Sequence, residues 1–202
     1  MKIIPARLPF VAFVALLAAG LQLAGAAQET TPGNEVQKAF VKGGRVYLHL
    51  SAGDYTIRGG AADTVRVHWK TRDPRDMDSA GADVSISGVN ATIRTRGPKN
   101  NFKVTIDLPQ RADLDIELSA GDLKVGGIEG NKTLSMWAGD VTIEVGDADL
   151  YKQVDATVRA GEISAHPFGR TTGGLFRSLH WKGAGKYTLH ARLTAGDLKL
   201  VR

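Results

Sequence analysis

The chain has no cysteine among its 202 residues. A fold without disulfides is held by its apolar core and backbone hydrogen bonds alone, which excludes the small, loop-rich scaffolds that depend on cross-links. Helical patterning is missing as well: past the N-terminus, no window places apolar residues at the three- and four-residue spacing of an amphipathic helix. Charge of one sign is scarce too. There are 26 Lys and Arg against 21 Asp and Glu, a formal +5, with no basic run and no nucleic-acid-binding motif, so nucleic acid is not an expected partner. Catalytic signatures are also lacking. The five histidines, His49, His68, His166, His180 and His190, show no metal-ligand spacing, and no Gly-x-Ser-x-Gly turn accompanies the serines. No catalytic residue, resident metal or cofactor is therefore expected, and the chain reads as a non-enzyme.

The one long apolar run lies at the start. Lys2 and Arg7 precede Phe10 to Ala19, and Ala24-Gly25-Ala26 supplies small residues for cleavage; this is the pattern of an export signal over 1–27. The run is shorter than the ~20 residues of a spanning helix, and no cysteine follows that could carry a lipid. Cleavage would leave no transmembrane segment and would lower the formal charge from +5 to +3. Residues 28–35 read as a flexible polar leader and 36–202 as one domain, exported to the periplasm or the cell surface.

What the chain does have is alternation of period two. Val46, Leu48 and Leu50 alternate with Tyr47 and His49, and Val65, Val67 and Trp69 with Arg66 and His68. The stretches 84–86, 102–106 and 114–118 read the same way, as strands with one buried face. With 24 glycines punctuating these short runs, the expected class is all-β. Two segments interrupt the rhythm: a polar loop from Thr71 to Ala82, whose Ala80-Gly81-Ala82-Asp83 resembles a degraded repeat, and a basic, glycine-rich insertion from Phe168 to Gly185.

A short phrase recurs within this pattern: Ala-Gly followed by an acid and an apolar residue, at Gly53-Asp54, Gly121-Asp122, Gly139-Asp140, Gly161-Glu162 and Gly196-Asp197. Aligned on the glycine, the positions three and five before it and two and four after it are apolar in every copy. Leu50, Leu118, Met136, Val158 and Leu193 form one such column, and Tyr55, Leu123, Val141, Ile163 and Leu198 another. The apolar phase is thus the same on both sides of the glycine, so each phrase reads as a corner at which a strand bends and keeps its inner face inward. Glycine suits the bend because it tolerates positive φ and close backbone approach, and the acid can accept hydrogen bonds from backbone N–H groups there. Copies 18 and 22 residues apart supply about one coil each of a β-helix or β-solenoid at ~3.3 Å per residue. A two-sheet β-sandwich is the alternative, above all before Thr95. An uncovered terminal strand near Asp197 to Val201 is expected.

The acidic column could bind calcium, although it lacks the nonapeptide of the known calcium-binding repeats. The outward column contains Ser51, Ser119, Arg159 and Thr194 together with Trp137. If consecutive copies stack, Arg159 lies beside Trp137, and the two form the candidate interaction surface. Burial of Trp137 under the 168–185 insertion is the competing reading.

The phrases Leu118-Ser119-Ala120-Gly121-Asp122-Leu123-Lys124-Val125 and Trp137-Ala138-Gly139-Asp140-Val141-Thr142-Ile143, with Val104 to Pro109 leading into Leu114-Asp115-Ile116, resemble the bacterial putative-adhesin family, a domain of unknown function with β-strand repeats. The resemblance spans about Val36 to Arg202. It implies a noncatalytic, right-handed β-helix-like domain exposed in the cell envelope, and no particular ligand. Three functions stay open: a structural or adhesive module for an envelope protein or glycan, a polysaccharide-active enzyme on a β-helix scaffold, and an envelope-stress sensing domain for a membrane partner. Oligomeric state is not legible.

Overall fold

The computed structural model describes residues 33–98 and 100–202. The expected signal, 1–27, and residues 28–32 of the leader lie outside the described residues. In chain order the strands are β1 (Glu35–Ala39), β2 (Arg45–Leu50), β3 (Asp54–Gly59), β4 (Thr64–Lys70), β5 (Gly81–Ser87), β6 (Asn90–Arg96), β7 (Lys103–Leu108) and β8 (Asp113–Ala120). They continue with β9 (Leu123–Gly126), β10 (Lys132–Ala138), β11 (Val141–Glu144), β12 (Tyr151–Ala165), β13 (Arg170–Lys182), β14 (Tyr187–Ala195) and β15 (Leu198–Val201). Helix is limited to short 3-10 turns, so the described chain is all-β.

Strands joined through a repeat glycine form pairs: β2 with β3, β8 with β9, β10 with β11, and β14 with β15. β12 passes through Gly161 without a break. These pairs lie on one another as parallel layers in the order β6/β7, β2/β3, β8/β9, β10/β11, β14/β15, β12. The order in space is not the order in sequence. Layer 45–59 sits between 90–108 and 113–126, and the C-terminal layer 187–201 sits between 132–144 and 151–165. Antiparallel strands close both ends: β5 on β6 and β4 on β7, with β1 on β4, at one end, and β13 along β12 at the other.

Register explains the apolar columns. Leu118 pairs with Met136, Met136 with Leu193, and Leu193 with Val158, and all four side chains are buried. Beyond the corner, Leu123, Val141, Leu198 and Ile163 stack in the same manner and are equally buried. Each such side chain contributes about 1.5–3 kcal/mol relative to an exposed one, and the columns merge into one continuous core.

Three local expectations are corrected. Leu198–Val201 is not an uncovered terminal strand, because β15 pairs with β11 on one side and β12 on the other. Gly81-Ala82-Asp83 is no corner: it lies in β5, extended opposite Arg96, Thr95 and Arg94, after a 3-10 turn at Pro74–Ser79. The 168–185 insertion, expected to interrupt the strand rhythm, is itself mostly a strand, β13.

Candidate interaction surface

The glycine corners set the geometry of the outward face. The Gly121 N–H donates to Ala138 O, Gly139 to Ala195 O and Gly196 to Ala160 O, at 2.9–3.0 Å, so each corner hangs on the next layer. At Gly139, φ is +123° and a Cβ would stand 1.9 Å from the Gly121 carbonyl oxygen. No other residue fits there. The acids act across layers rather than within their own corner: Asp140 Oδ1 accepts from Asp197 N–H at 3.1 Å, and Asp197 Oδ1 from Glu162 N–H at 2.9 Å. Asp54 instead lies 3.7 Å from Lys103 Nζ. Asp113 and Asn131 repeat the device at the other end of the strands, where Asp113 Oδ1 accepts from Asn131 N–H and Asn131 Oδ1 from Thr188 N–H. Among the described residues, no group of three or more His, Cys, Asp or Glu is placed to hold a metal ion.

Because alternate residues of β2, β8, β10, β14 and β12 are buried, the residues between them form rows on the outer face. One row reads Ser51, Ser119, Trp137, Thr194, Arg159. Trp137 is 69% exposed, so it does not pack under the 168–185 insertion. It does not adjoin Arg159 either. Thr194 of β14 stands between them, since β14 separates β10 from β12. Both side chains belong to one face, but as members of a wider groove.

Two shallow grooves meet along this row. One, of about 480 Å³, lies on the β2 side of Trp137 and includes His49 and Glu117, whose Nδ1 and Oε2 are 3.0 Å apart. The other, of about 470 Å³, extends toward β13 and is lined by Arg159, Arg192, Arg177 and Phe176. Phe176 is 77% exposed and its φ is +53°, a strained conformation for a bulky L-residue. Farther from the corner, Asp155 receives His180 Nδ1 at 2.8 Å and has His190 Nδ1 at 3.4 Å. The hydrogen bond from His180, followed by that from Gln153, holds its carboxyl below the usual carboxylate range.

Phe176 escaped the repeat pattern because it lies in the insertion, which has no column to join. Its signal is present nonetheless: Leu175-Phe176, two large apolar residues next to Gly173-Gly174 in a basic segment. Lys132 was also missed. It occupies a core column between Leu114 and Leu189 and is 2% exposed, with Nζ 3.1 Å from Tyr151 Oη and 3.2 Å from Gly130 O.

No family model matches the chain, and no curated protein matches it. Among solved structures, a putative cell adhesion protein from Clostridium sporogenes ATCC 15579 aligns with a TM-score of 0.48 at 13% identity, over 82% of this chain and 97% of that one. A putative adhesin from Parabacteroides merdae ATCC 43184 aligns with a TM-score of 0.30 at 11% identity, over 82% and 80%. A putative lipid binding protein from Parabacteroides distasonis ATCC 8503 gives 0.24 at 8% identity, over 84% and 98%. Similarities of this size do not extend to a ligand or an activity.

Proposed function

We propose that this protein is an exported, noncatalytic module of the bacterial envelope, structural or adhesive, built as a β-solenoid whose outward face engages an envelope protein or glycan. The observation that carries the reading is Trp137, 69% exposed on β10, a strand paired on both sides with β8 and β14. Exposing an indole is unfavourable in water, and tryptophans of this kind are where binding energy concentrates in interfaces. The N-terminal export pattern over 1–27 supports the location, with 36–202 as the working domain. Among the described residues no helix is long and apolar enough to cross a membrane.

The test is a double substitution, Trp137→Ala with Arg159→Ala, assayed for binding to isolated envelope fractions and whole cells. Both side chains are on the surface, so the fold persists, and affinity falls by about tenfold or more if the face is the binding surface. Unchanged binding removes it.

One arrangement favours the enzymatic alternative: the His49–Glu117 pair beside Trp137, a carboxylate able to orient an imidazole in a groove. Release of oligosaccharide from acidic or neutral glycans, abolished by His49→Ala, would support that reading. Its absence across both glycan classes counts against it.

A further inference from the structure

We infer that the groove between Trp137 and Phe176 binds a polysaccharide bearing carboxylate groups, laid across the strands from β10 to β13. The inference rests on the reading of this face as the interaction surface and names its ligand class.

Charge is the first argument. Arg159, Arg177 and Arg192 line the groove and no carboxylate does. None of the three is in an ion pair among the described residues. Two carboxylates elsewhere on the same face are engaged, Glu117 by His49 and Asp155 by His180 and His190. Arg159 and Arg192, both on the outer face and unneutralised, repel one another and raise the local concentration of anions. Arginine also presents a planar fork that matches a carboxylate with two parallel hydrogen bonds.

The aromatic ends give the second argument. Trp137 and Phe176 stand on strands three spacings apart, roughly 14 Å at ~4.8 Å per strand. Both are largely exposed, and the backbone at Phe176 is held at positive φ. Strain of this kind persists where the surroundings impose it, and it keeps the ring at the groove rim instead of collapsed onto the sheet. Two apolar ring faces separated by the length of a short oligosaccharide suit stacking against the C–H faces of sugar rings. Between them Ser135, Thr157, Ser178 and Thr194 offer hydroxyls that can donate to and accept from sugar hydroxyls.

The setting selects a glycan over an acidic peptide. An extended peptide gains affinity by adding main-chain hydrogen bonds to a strand edge, whereas β10, β14 and β12 beneath the groove are each paired on both sides, and the free edge of β13 lies outside the row from Trp137 to Phe176. A peptide on this floor has no ladder to join.

The probe is oligogalacturonate, titrated into the purified protein, with neutral dextran, poly-glutamate and anionic phospholipid vesicles as comparison ligands. Oligogalacturonate binding is expected to weaken by about tenfold in Arg159→Gln/Arg192→Gln. Trp137→Ala and Phe176→Ala should each weaken it by about fivefold or more. Lys152→Gln, an exposed cation outside the groove, should leave it unchanged, and all variants should keep the parent's thermal unfolding transition. Neutral dextran should not bind. The inference is overturned if oligogalacturonate does not bind, if loss of both aromatics has no effect, or if poly-glutamate or vesicles bind equally well, which would show a general basic patch. Envelope binding that still depends on Trp137 and Arg159 while oligogalacturonate fails would sink this ligand class alone. Loss of that dependence would remove the interaction surface too.

Discussion

Lys132 stands in a column otherwise filled by Val46, Leu114, Leu189 and Val154, and among the described residues its ammonium hydrogen-bonds to Gly130 O and Tyr151 Oη. Burial lowers its pKa to about 8, against the opposing pull of Asp113 and Glu129. The folded pKa lies below the unfolded value of 10.5, so the native state loses its proton first as pH rises. Below pH 8 both states are protonated and the native state carries the full cost of a buried cation. Between pH 8 and 10 the unfolded chain still holds the proton that the native state has released, and stability rises with pH, by about 3 kcal/mol in all. Above pH 10 the trend is opposed by Tyr151, whose hydroxyl is pushed above its usual range by burial. Denaturant unfolding of the wild type and Lys132→Met at pH 7, 8, 9 and 10 checks this: the wild type should gain on the variant at each step above pH 8. Parallel curves would show that Lys132 is solvated in the native state.

At the level of strands and corners, period-two alternation was a sound guide wherever a strand has one buried face. The runs at 46–50, 65–69 and 114–118 lie in β2, β4 and β8, and all but the first residue of 102–106 lies in β7. It was silent for β13, because a strand at the end of the stack covers the core with few residues. Leu179 is its only fully buried side chain, and the remaining positions are free to be Arg, Thr or Gly, so no periodicity survives. The corner was legible in its glycine, although the close contact that demands glycine belongs to another layer. Two substitutions separate backbone conformation from collision. Gly60 also has positive φ, +119°, but nothing lies within 4 Å of where its Cβ would be. Gly60→Ala should therefore cost only the conformational strain, about 1–2 kcal/mol. Gly139→Ala adds a methyl 1.9 Å from the Gly121 carbonyl oxygen and should cost at least about 3 kcal/mol, since backbone of two layers must separate. Equal losses in chemical denaturation would mean that the corners move apart freely.

The order of the layers was beyond the reach of the pattern for a physical reason. Columns define which side chains face inward, and any copy's apolar residue satisfies its neighbour's: Met136 can pack on Leu193 or on Val158 with little difference in buried area. What distinguishes the copies lies outside the repeat, in contacts such as Asn131 Oδ1 with Thr188 N–H at 2.9 Å and in the antiparallel grip of β13 along β12, which occupies the side of β12 away from β14. The same ordering separates Trp137 from Arg159 and widens the candidate site into a groove. It can be read out chemically, because a chain without cysteine has no background thiol. Ser135 pairs with Arg192, and Arg192 with Thr157. Neighbouring strands lie ~4.8 Å apart, within the Cα separation that a disulfide spans, whereas strands two spacings apart, at roughly 9.6 Å, exceed the ~7 Å limit. Under mild oxidation Ser135→Cys/Arg192→Cys should therefore cross-link and Ser135→Cys/Thr157→Cys should not, as read by mobility on a non-reducing gel and by peptide mass. A cross-link between 135 and 157 alone would place β12 directly on β10, restore the sequential winding, and bring Arg159 next to Trp137.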